Sequence, residues 1–313
     1  MTSGGAPAWE FAATGTRWRL YHSGALPEHT ANQLADAVRA DEARWSRFRD
    51  DSEVAALNRR PGQWVPISAE TFAVLDLCRT WTERTAGVFQ PLIGRALADA
   101  GYARSITEQA PFAAVTVTAE AIRAAIGLDR AACTARIPPG TALDLGGIGK
   151  GWIAARVASR LLDCSRDQAL LVDAGGDLLA VTGEHLVAVE DPEHGGVQSW
   201  ITLAAGQAVA TSGCGRRQWT NGDGRRSHHL IDPRTGAPGP FVHATLVADD
   251  AVSADIGAKV LALRPDSIAR CVQPARVQTS SGTRVNDGWR ARLTVPSSPE
   301  NTSEPGRSAP NRL

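Results

Sequence analysis

Short apolar runs bounded by turn residues are the feature that most constrains this fold. Residues 168–173 and 185–190 are apolar, too short for helices, and flanked by Gly, Asp or Pro, so they predict strands. Residues 10–22, 199–204 and 243–249 have patterns that also predict strands. The chain therefore contains many short strands spread over most of its length.

Amphipathic segments lie between these strands. The spacing of apolar residues predicts helices over 31–45, 68–85, 150–163 and 252–264. Strands and helices mix without a strict βαβ alternation, so the predicted fold class is α+β. We expect a flexible N-terminus over 1–9, one domain over 10–295 and a disordered Pro/Ser-rich tail over 296–313.

Composition excludes several function classes. Lys+Arg and Asp+Glu both total 33, so the chain is neutral overall, which argues against a nucleic-acid partner. No stretch approaches the roughly 18 apolar residues of a membrane span, so no membrane insertion is expected. Met1–Glu10 lack the basic and apolar regions of a signal peptide, which predicts a cytoplasmic protein. Five cysteines without a CxxC pair argue against a disulfide framework or a zinc site.

Lysine is almost absent from the chain. The 33 basic residues comprise 31 Arg and two Lys, Lys150 and Lys259. Arginine presents a planar fork and lysine a compact ammonium, so the two lysines are candidates for places where an ammonium is needed. The alternative is that they survive by chance.

Lys150 lies in a glycine-rich segment, Leu143–Trp152, that leads into a predicted helix. Such loops suit anions, because glycines let backbone N–H groups approach and the helix N-terminus adds partial positive charge. The segment is not a Walker A loop, since Asp144 stands at the position of its first Gly and Gly151 follows the lysine. It is not a dinucleotide fingerprint either, because Trp152 replaces the third glycine.

Further small-residue or turn segments follow other predicted strands. Arg226–Gly236 carries a histidine pair beside a turn, where an imidazole could act as a base or bind an anion. In Ser253–Val260, Asp255 and Lys259 share one helix face, as a surface ion pair or as part of a cation site. With the loops at 173–177 and 210–214, these segments predict a shared groove around a phosphorylated ligand.

Motifs at these positions resemble those of the ApbE family, the FAD:protein FMN transferases. In order along the chain, the resembling segments are Ala13–Thr16, Ser46–Asn58, Gly87–Pro91, Leu143–Gly151, Asp173–Asp177, Ala210–Gly213 and Ser227–Gly236. The resemblance implies a tandem T-fold-type architecture with mixed or antiparallel sheets and packed helices. It also implies transfer of FMN from FAD to a Thr hydroxyl of an acceptor flavoprotein, with release of AMP and assistance from Mg²⁺.

The resemblance also assigns residues. It implies catalytic roles for His229 and Asp255, and a metal site formed by Asp255 and the carbonyl of Gly147. The positions it implies for FAD binding are Thr14, Asn58, Asp144, Gly147, Lys150, Ser212, Gly213, His229 and Lys259. The acceptor protein is not identified by the sequence.

Lys259 departs from the family pattern, which commonly has Thr four residues after the metal-binding Asp. An ammonium cannot ligate a cation and would repel one nearby. Lys259 therefore either binds the pyrophosphate itself or pairs with Asp255 and weakens the metal site. Thr14 and Gln90 also depart from the pattern. An FAD pyrophosphatase, yielding FMN and AMP, and a non-catalytic FAD-binding protein are the alternative functions.

Overall fold

The computed structural model describes residues 9–24, 26–102, 125–164, 169–192, 195–215, 218–220 and 226–294. The predicted flexible N-terminus lies outside the described residues except for Trp9, which begins the first strand. The predicted tail over 296–313 lies wholly outside them. None of the described helices is both long enough and apolar enough to cross a membrane.

Strands make up most of the described elements. In chain order they are β1 (Trp9–Ala13), β2 (Thr16–His22), β3 (Val65–Pro66), β4 (Gly127–Asp129), β5 (Thr134–Arg136), β6 (Leu170–Ala174), β7 (Leu178–Thr182), β8 (His185–Glu190), β9 (Val197–Leu203), β10 (Ala208–Gly213), β11 (Gln218–Thr220), β12 (Arg226–His228), β13 (Ile231–Asp232), β14 (Ala237–Pro238), β15 (His243–Ala248), β16 (Ala275–Thr279), β17 (Gly282–Val285) and β18 (Leu293–Thr294). Eight of them form one antiparallel sheet in the order β1-β2-β6-β7-β10-β15-β16-β17.

The described helices complete an α+β fold, as the sequence predicts. They are α1 (Glu28–Trp45), α2 (Glu53–Arg59), α3 (Ala69–Arg84), α4 (Gly94–Asp99), α5 (Gly149–Cys164), α6 (Ala251–Leu263) and α7 (Asp287–Arg290), with a 3₁₀ helix at Pro265–Arg270. The four predicted helices correspond to α1, α3, α5 and α6. Ser68 caps α3 by accepting a hydrogen bond from the Thr71 amide at 3.2 Å, which explains why the helix begins there.

The predicted strand over 10–22 is wrong in one respect, because it is two strands. Ala13 pairs with Thr16, which leaves Thr14 and Gly15 as a two-residue turn with φ angles of +54° and +67°. Two positive φ angles are typical of a type I′ hairpin turn, where Asn-Gly is the usual sequence. The Thr14 hydroxyl accepts a hydrogen bond from the Trp18 indole at 3.0 Å, and this bond holds threonine in a strained conformation.

Helices α5 and α6 cross closely against the sheet. A Cβ atom at Gly151 would lie 2.7 Å from the carbonyl oxygen of Ala251, so only glycine permits this approach. The crossing brings the glycine-rich loop before α5 beside Asp255 and Lys259 of α6. Two segments more than 100 residues apart in sequence thus meet at one place.

Candidate active site

A cavity of about 430 Å³ lies at the N-terminus of α5. Its wall combines the β1–β2 turn, the end of α1, the segment 88–97, the glycine-rich loop, the segment 229–233 and the C-terminal half of α6. The predicted site residues that line it are Thr14, Asp144, Gly147, Lys150, His229 and Lys259. Four other predicted residues, Asn58, Ser212, Gly213 and Asp255, do not line it.

Asn58 lies behind the loop rather than in the cavity. Its amide nitrogen donates to the Leu143 carbonyl at 3.0 Å, and its amide oxygen accepts from the Leu143 amide at 2.7 Å. This paired bond anchors the first residue of the glycine-rich segment to α2. The side chain therefore positions the loop, and its contact with FAD stays a prediction.

Ser212 and Gly213 lie on strand β10, away from the cavity wall. Ser212 is buried in the sheet. A Cβ atom at Gly213 would lie 2.1 Å from Nδ1 of His243, its cross-strand partner. The glycine accommodates an imidazole of the neighbouring strand, so the structure gives it a packing role.

Asp144 is held by a residue that the sequence analysis did not single out. Arg47 Nε lies 2.7 Å from Asp144 Oδ2, and the Arg47 side chain is only 3% exposed. The Asp144 Oδ1 atom accepts a hydrogen bond from the Gly146 amide at 2.8 Å, which shapes the loop. Arg47 belongs to the Ser46–Asn58 motif, so the resemblance points to its segment. Its pairing with Asp144 could not be predicted, because the two residues are far apart in sequence.

Aromatic rings surround this arginine. The Arg47 guanidinium carbon lies 4.1 Å from the Phe48 ring centre and 4.6 Å from that of Tyr102. Trp219 stacks on Tyr102 with ring centres 5.5 Å apart and an angle of 13° between the planes. Phe48 and Tyr102 both line the cavity, with their rings edge to face at 84°, so one part of its wall is aromatic.

The two lysines of the chain both line the cavity and both pair with carboxylates. Lys150 forms an ion pair with Asp177, whose other carboxylate oxygen accepts a hydrogen bond from the Thr211 amide at 3.2 Å. Lys259 forms an ion pair with Asp255 in the same helix. The prediction that these lysines mark a functional place is consistent with their meeting in one cavity.

Asp255 lies beneath the cavity and is 1% exposed. Burial raises the pKa of this carboxyl, but the charges of Lys259 and Lys150 outweigh burial and hold the pKa below its usual value. Its Oδ2 atom also accepts a hydrogen bond from the Gly151 amide at 3.2 Å. The carboxylate is therefore ionised and has a partner on each oxygen.

These contacts do not fit a divalent cation on Asp255. The Lys259 ammonium occupies the Oδ1 side, and Gly151 N–H occupies the Oδ2 side. A divalent cation about 4 Å from an ammonium is repelled by roughly 8 kcal/mol at an effective dielectric constant of about 20.

The two adjacent histidines have different environments. His228 is fully buried, its Nδ1 accepts from the Leu230 amide at 3.2 Å, and its Nε2 donates to the Gly239 carbonyl at 3.0 Å. Burial lowers the pKa of His228, so the ring is neutral at neutral pH. His229 lines the cavity instead. Of the two imidazoles, the one in the cavity wall is thus His229, the residue that the motif resemblance selects.

Fold and cavity together define a class: an antiparallel α+β protein whose glycine-rich loop, lysines and imidazole are arranged for a phosphorylated ligand. The chain belongs to the ApbE family, whose model matches residues 14–278.

Individual relatives agree with this membership. The FAD:protein FMN transferase of Treponema pallidum is 28% identical over 246 residues, which is 71% of this chain and 67% of the relative. That of Klebsiella pneumoniae is 34% identical over 139 residues, and this match spans 43% of each protein.

Solved structures agree as well. The ApbE protein of Thermotoga maritima superposes with a TM-score of 0.81 at 25% identity, covering 92% of this chain and 99% of that one. The flavin transferase ApbE of Vibrio cholerae superposes with a TM-score of 0.72 at 20% identity, covering 91% of this chain and 98% of that one. These matches confirm the ApbE-like architecture that the motifs predict.

Proposed function

We propose that this protein is an FAD:protein FMN transferase. The observation that carries the proposal is the cavity of an ApbE-family fold in which His229, Lys150 and Lys259 converge from three separate segments. Phosphoryl transfer depends on positioning and charge neutralisation more than on covalent chemistry by the protein. Two ammonium groups and an imidazole supply those needs.

The proposed step moves the FMN phosphoryl group to an acceptor hydroxyl. The hydroxyl oxygen attacks the FMN-side phosphorus of FAD and a P–O bond forms. The P–O bond to the AMP phosphate breaks, and AMP leaves with the electron pair. His229 accepts the hydroxyl proton, the role of a general base. The two lysines neutralise the pyrophosphate, and Tyr102 in the cavity wall offers an aromatic ring against which a ring of FAD can pack.

Neither alternative function gains support from a specific observation. A pyrophosphatase would use the same residues with water as nucleophile, and a binding protein would need no imidazole. The relatives named above are transferases.

The acceptor residue, the location and the domain bounds are also part of the proposal. We propose a Thr as the acceptor residue, a cytoplasmic location and one domain over residues 10–295. Mg²⁺, which the resemblance implies, receives no support from the contacts of Asp255, and the proposed step does not require it.

A transfer assay tests the function. The purified protein is incubated with FAD and the apo form of an acceptor flavoprotein that a related FAD:protein FMN transferase modifies. AMP release and the intact mass of the acceptor are followed, with the related enzyme as positive control. We expect an adduct of FMN less one water. Free FMN with AMP would indicate hydrolysis, and intact bound FAD would indicate a binding protein.

A further inference from the structure

Lys259 lies between a buried carboxylate and the cavity. Its ammonium is bonded to Asp255 Oδ1 and lies 3.4 Å from the Asp255 carbonyl oxygen. Its side chain is 16% exposed and lines the cavity. An ammonium has three N–H donors, so one donor remains beyond the two that Asp255 receives.

The aliphatic part of Lys259 lies beside the glycine-rich loop. A Cβ atom at Gly147 would lie 3.7 Å from Lys259 Cδ and 3.1 Å from the Phe89 ring. A side chain at Gly147 would therefore crowd the Phe89 ring and only touch the lysine stem. The ammonium lies in the same cavity wall as Lys150, near the start of α5, where Gly151 bonds Asp255.

The carboxylate below this ammonium already has a hydrogen-bond partner on each of its two oxygens. Asp255 has Lys259 on one oxygen and the Gly151 amide on the other, at the tight crossing of α5 and α6. Lys259 lines the cavity and bonds Asp255 Oδ1, so a cation that approached this oxygen from the cavity would meet the ammonium and be repelled by it. The arrangement supplies one positive charge at the place where the resemblance implies a divalent cation.

We propose, on the basis of the proposed function, that Lys259 is a built-in cation that replaces a divalent metal in binding and activating the FAD pyrophosphate. Asp255 orients the ammonium, and the remaining N–H donates to a pyrophosphate oxygen. When the bond between the two phosphates breaks, the electron pair goes to the AMP oxygen, and Lys259 stabilises that charge. The proton of the acceptor hydroxyl goes to His229, so no co-reactant beyond FAD and the acceptor is needed.

The first test compares metal-free and Mg²⁺-containing conditions. FAD affinity is measured by quenching of flavin fluorescence, and transfer is measured by acceptor mass, each in EDTA and in Mg²⁺. For the native protein we expect both quantities to change less than about twofold between the two conditions. A loss of FAD affinity and transfer in EDTA that Mg²⁺ restores would overturn the proposal.

Substitutions of Lys259 give the second test. Lys259→Met is expected to reduce transfer about 100-fold or more, the usual scale for removing one group that stabilises transition-state charge. Lys259→Thr is expected to be equally impaired in EDTA and to regain at least tenfold in Mg²⁺, since its hydroxyl and the Asp255 carboxylate are oxygen ligands. If Lys259 had only a structural role, Mg²⁺ would not restore transfer in Lys259→Thr.

Two control variants distinguish a loss of catalysis in Lys259→Met from a loss of folding. Lys259→Met leaves Asp255 buried without its main partner, so the double variant Asp255→Asn/Lys259→Met is measured beside it. Arg290→Met removes a comparable charge from an exposed pair with Asp287 and should change nothing. If the double variant folds and keeps metal-free FAD affinity and transfer, the proposal is wrong.

The failures of the two proposals are distinguishable. If the native protein modifies no acceptor that the related enzyme modifies, the transferase function fails. The fluorescence measurement still tests Lys259 in that case, with a metal-free loss of FAD affinity of at least tenfold expected for Lys259→Met. Unchanged affinity in that variant would overturn the role of Lys259 even if the function stands.

Discussion

Adjacent residues of one motif can have opposite roles, as His228 and His229 show. His228 is buried and bonded through both ring nitrogens to backbone groups, whereas His229 lines the cavity. We expect His229→Asn to lower the rate of FMN transfer by about 10²–10⁴-fold, the usual contribution of a general base. Its melting temperature should stay close to that of the native protein. Transfer at an unchanged rate would remove His229 from the mechanism.

His228 instead contributes to stability in a pH-dependent way. Burial lowers the pKa of His228 below about 6.5, its value in the unfolded chain, so the unfolded state binds the proton more readily. The contribution of neutral His228 is therefore complete above pH ~6.5 and is lost as the pH falls towards the folded pKa.

A substitution isolates that contribution. His228→Gln should lower the melting temperature at pH 7.5, because the loss of a buried hydrogen-bond partner costs about 1–3 kcal/mol. The difference from the native protein should narrow at pH 5, where the native protein has lost the contribution of the neutral ring. Thermal unfolding at both pH values measures this, with His229→Gln as the control that retains His228. A gap that widens on acidification would contradict the assignment.

At the scale of elements, the crossing of α5 and α6 depends on one glycine. A Cβ at Gly151 would meet backbone atoms of Ala251 and Val252 at 2.7 and 3.0 Å, whereas a Cβ at Gly149 would meet nothing within 4 Å. We expect Gly151→Ala to destabilise the protein by about 1–3 kcal/mol, as overpacking does. Gly149→Ala in the same helix should be neutral or up to about 1 kcal/mol stabilising. Chemical denaturation without FAD compares the two, and equal effects would refute the crossing as described.

Elements differed in how well the sequence predicted them. Helix α3 was predictable because Ser68 provides a cap and the apolar spacing is regular. The β1–β2 hairpin was missed because its turn has Thr14 where Asn is usual, and the indole of Trp18, which stabilises that threonine, gives no local pattern. The Lys259–Asp255 pair lies within one helix turn of α6, so the sequence predicts it as one of two alternatives, the other being that Lys259 binds the pyrophosphate. The Arg47–Asp144 pair joins residues 97 positions apart and could not be read from spacing.

For the whole molecule, the cavity joins segments from the first hairpin to α6. A ligand that spans them should stabilise the fold as a unit, by about 2.7 kcal/mol when its concentration is 100 times Kd. We expect saturating FAD to raise the melting temperature by roughly 5 °C, from the lower end of the scale of about 2–4 °C per kcal/mol for 150–250 residues, because this chain of 313 residues is longer. FMN or AMP alone should raise it less, because each covers part of the cavity. An unchanged melting temperature with FAD would contradict this location of the site.

The two lysines also make the protein unusually selective towards acylating reagents. Its 31 arginines do not react with such reagents, so besides the α-amino group Lys150 and Lys259 are the only amines in the sequence that can form stable amides. Both lysines line the cavity, with side chains 22% and 16% exposed. Acetylation by an activated ester should therefore add a few acetyl groups at most, and FAD should shield the lysine positions. A peptide map of the acetylated protein, with and without FAD, would then locate the ligand site, because few other positions carry the label.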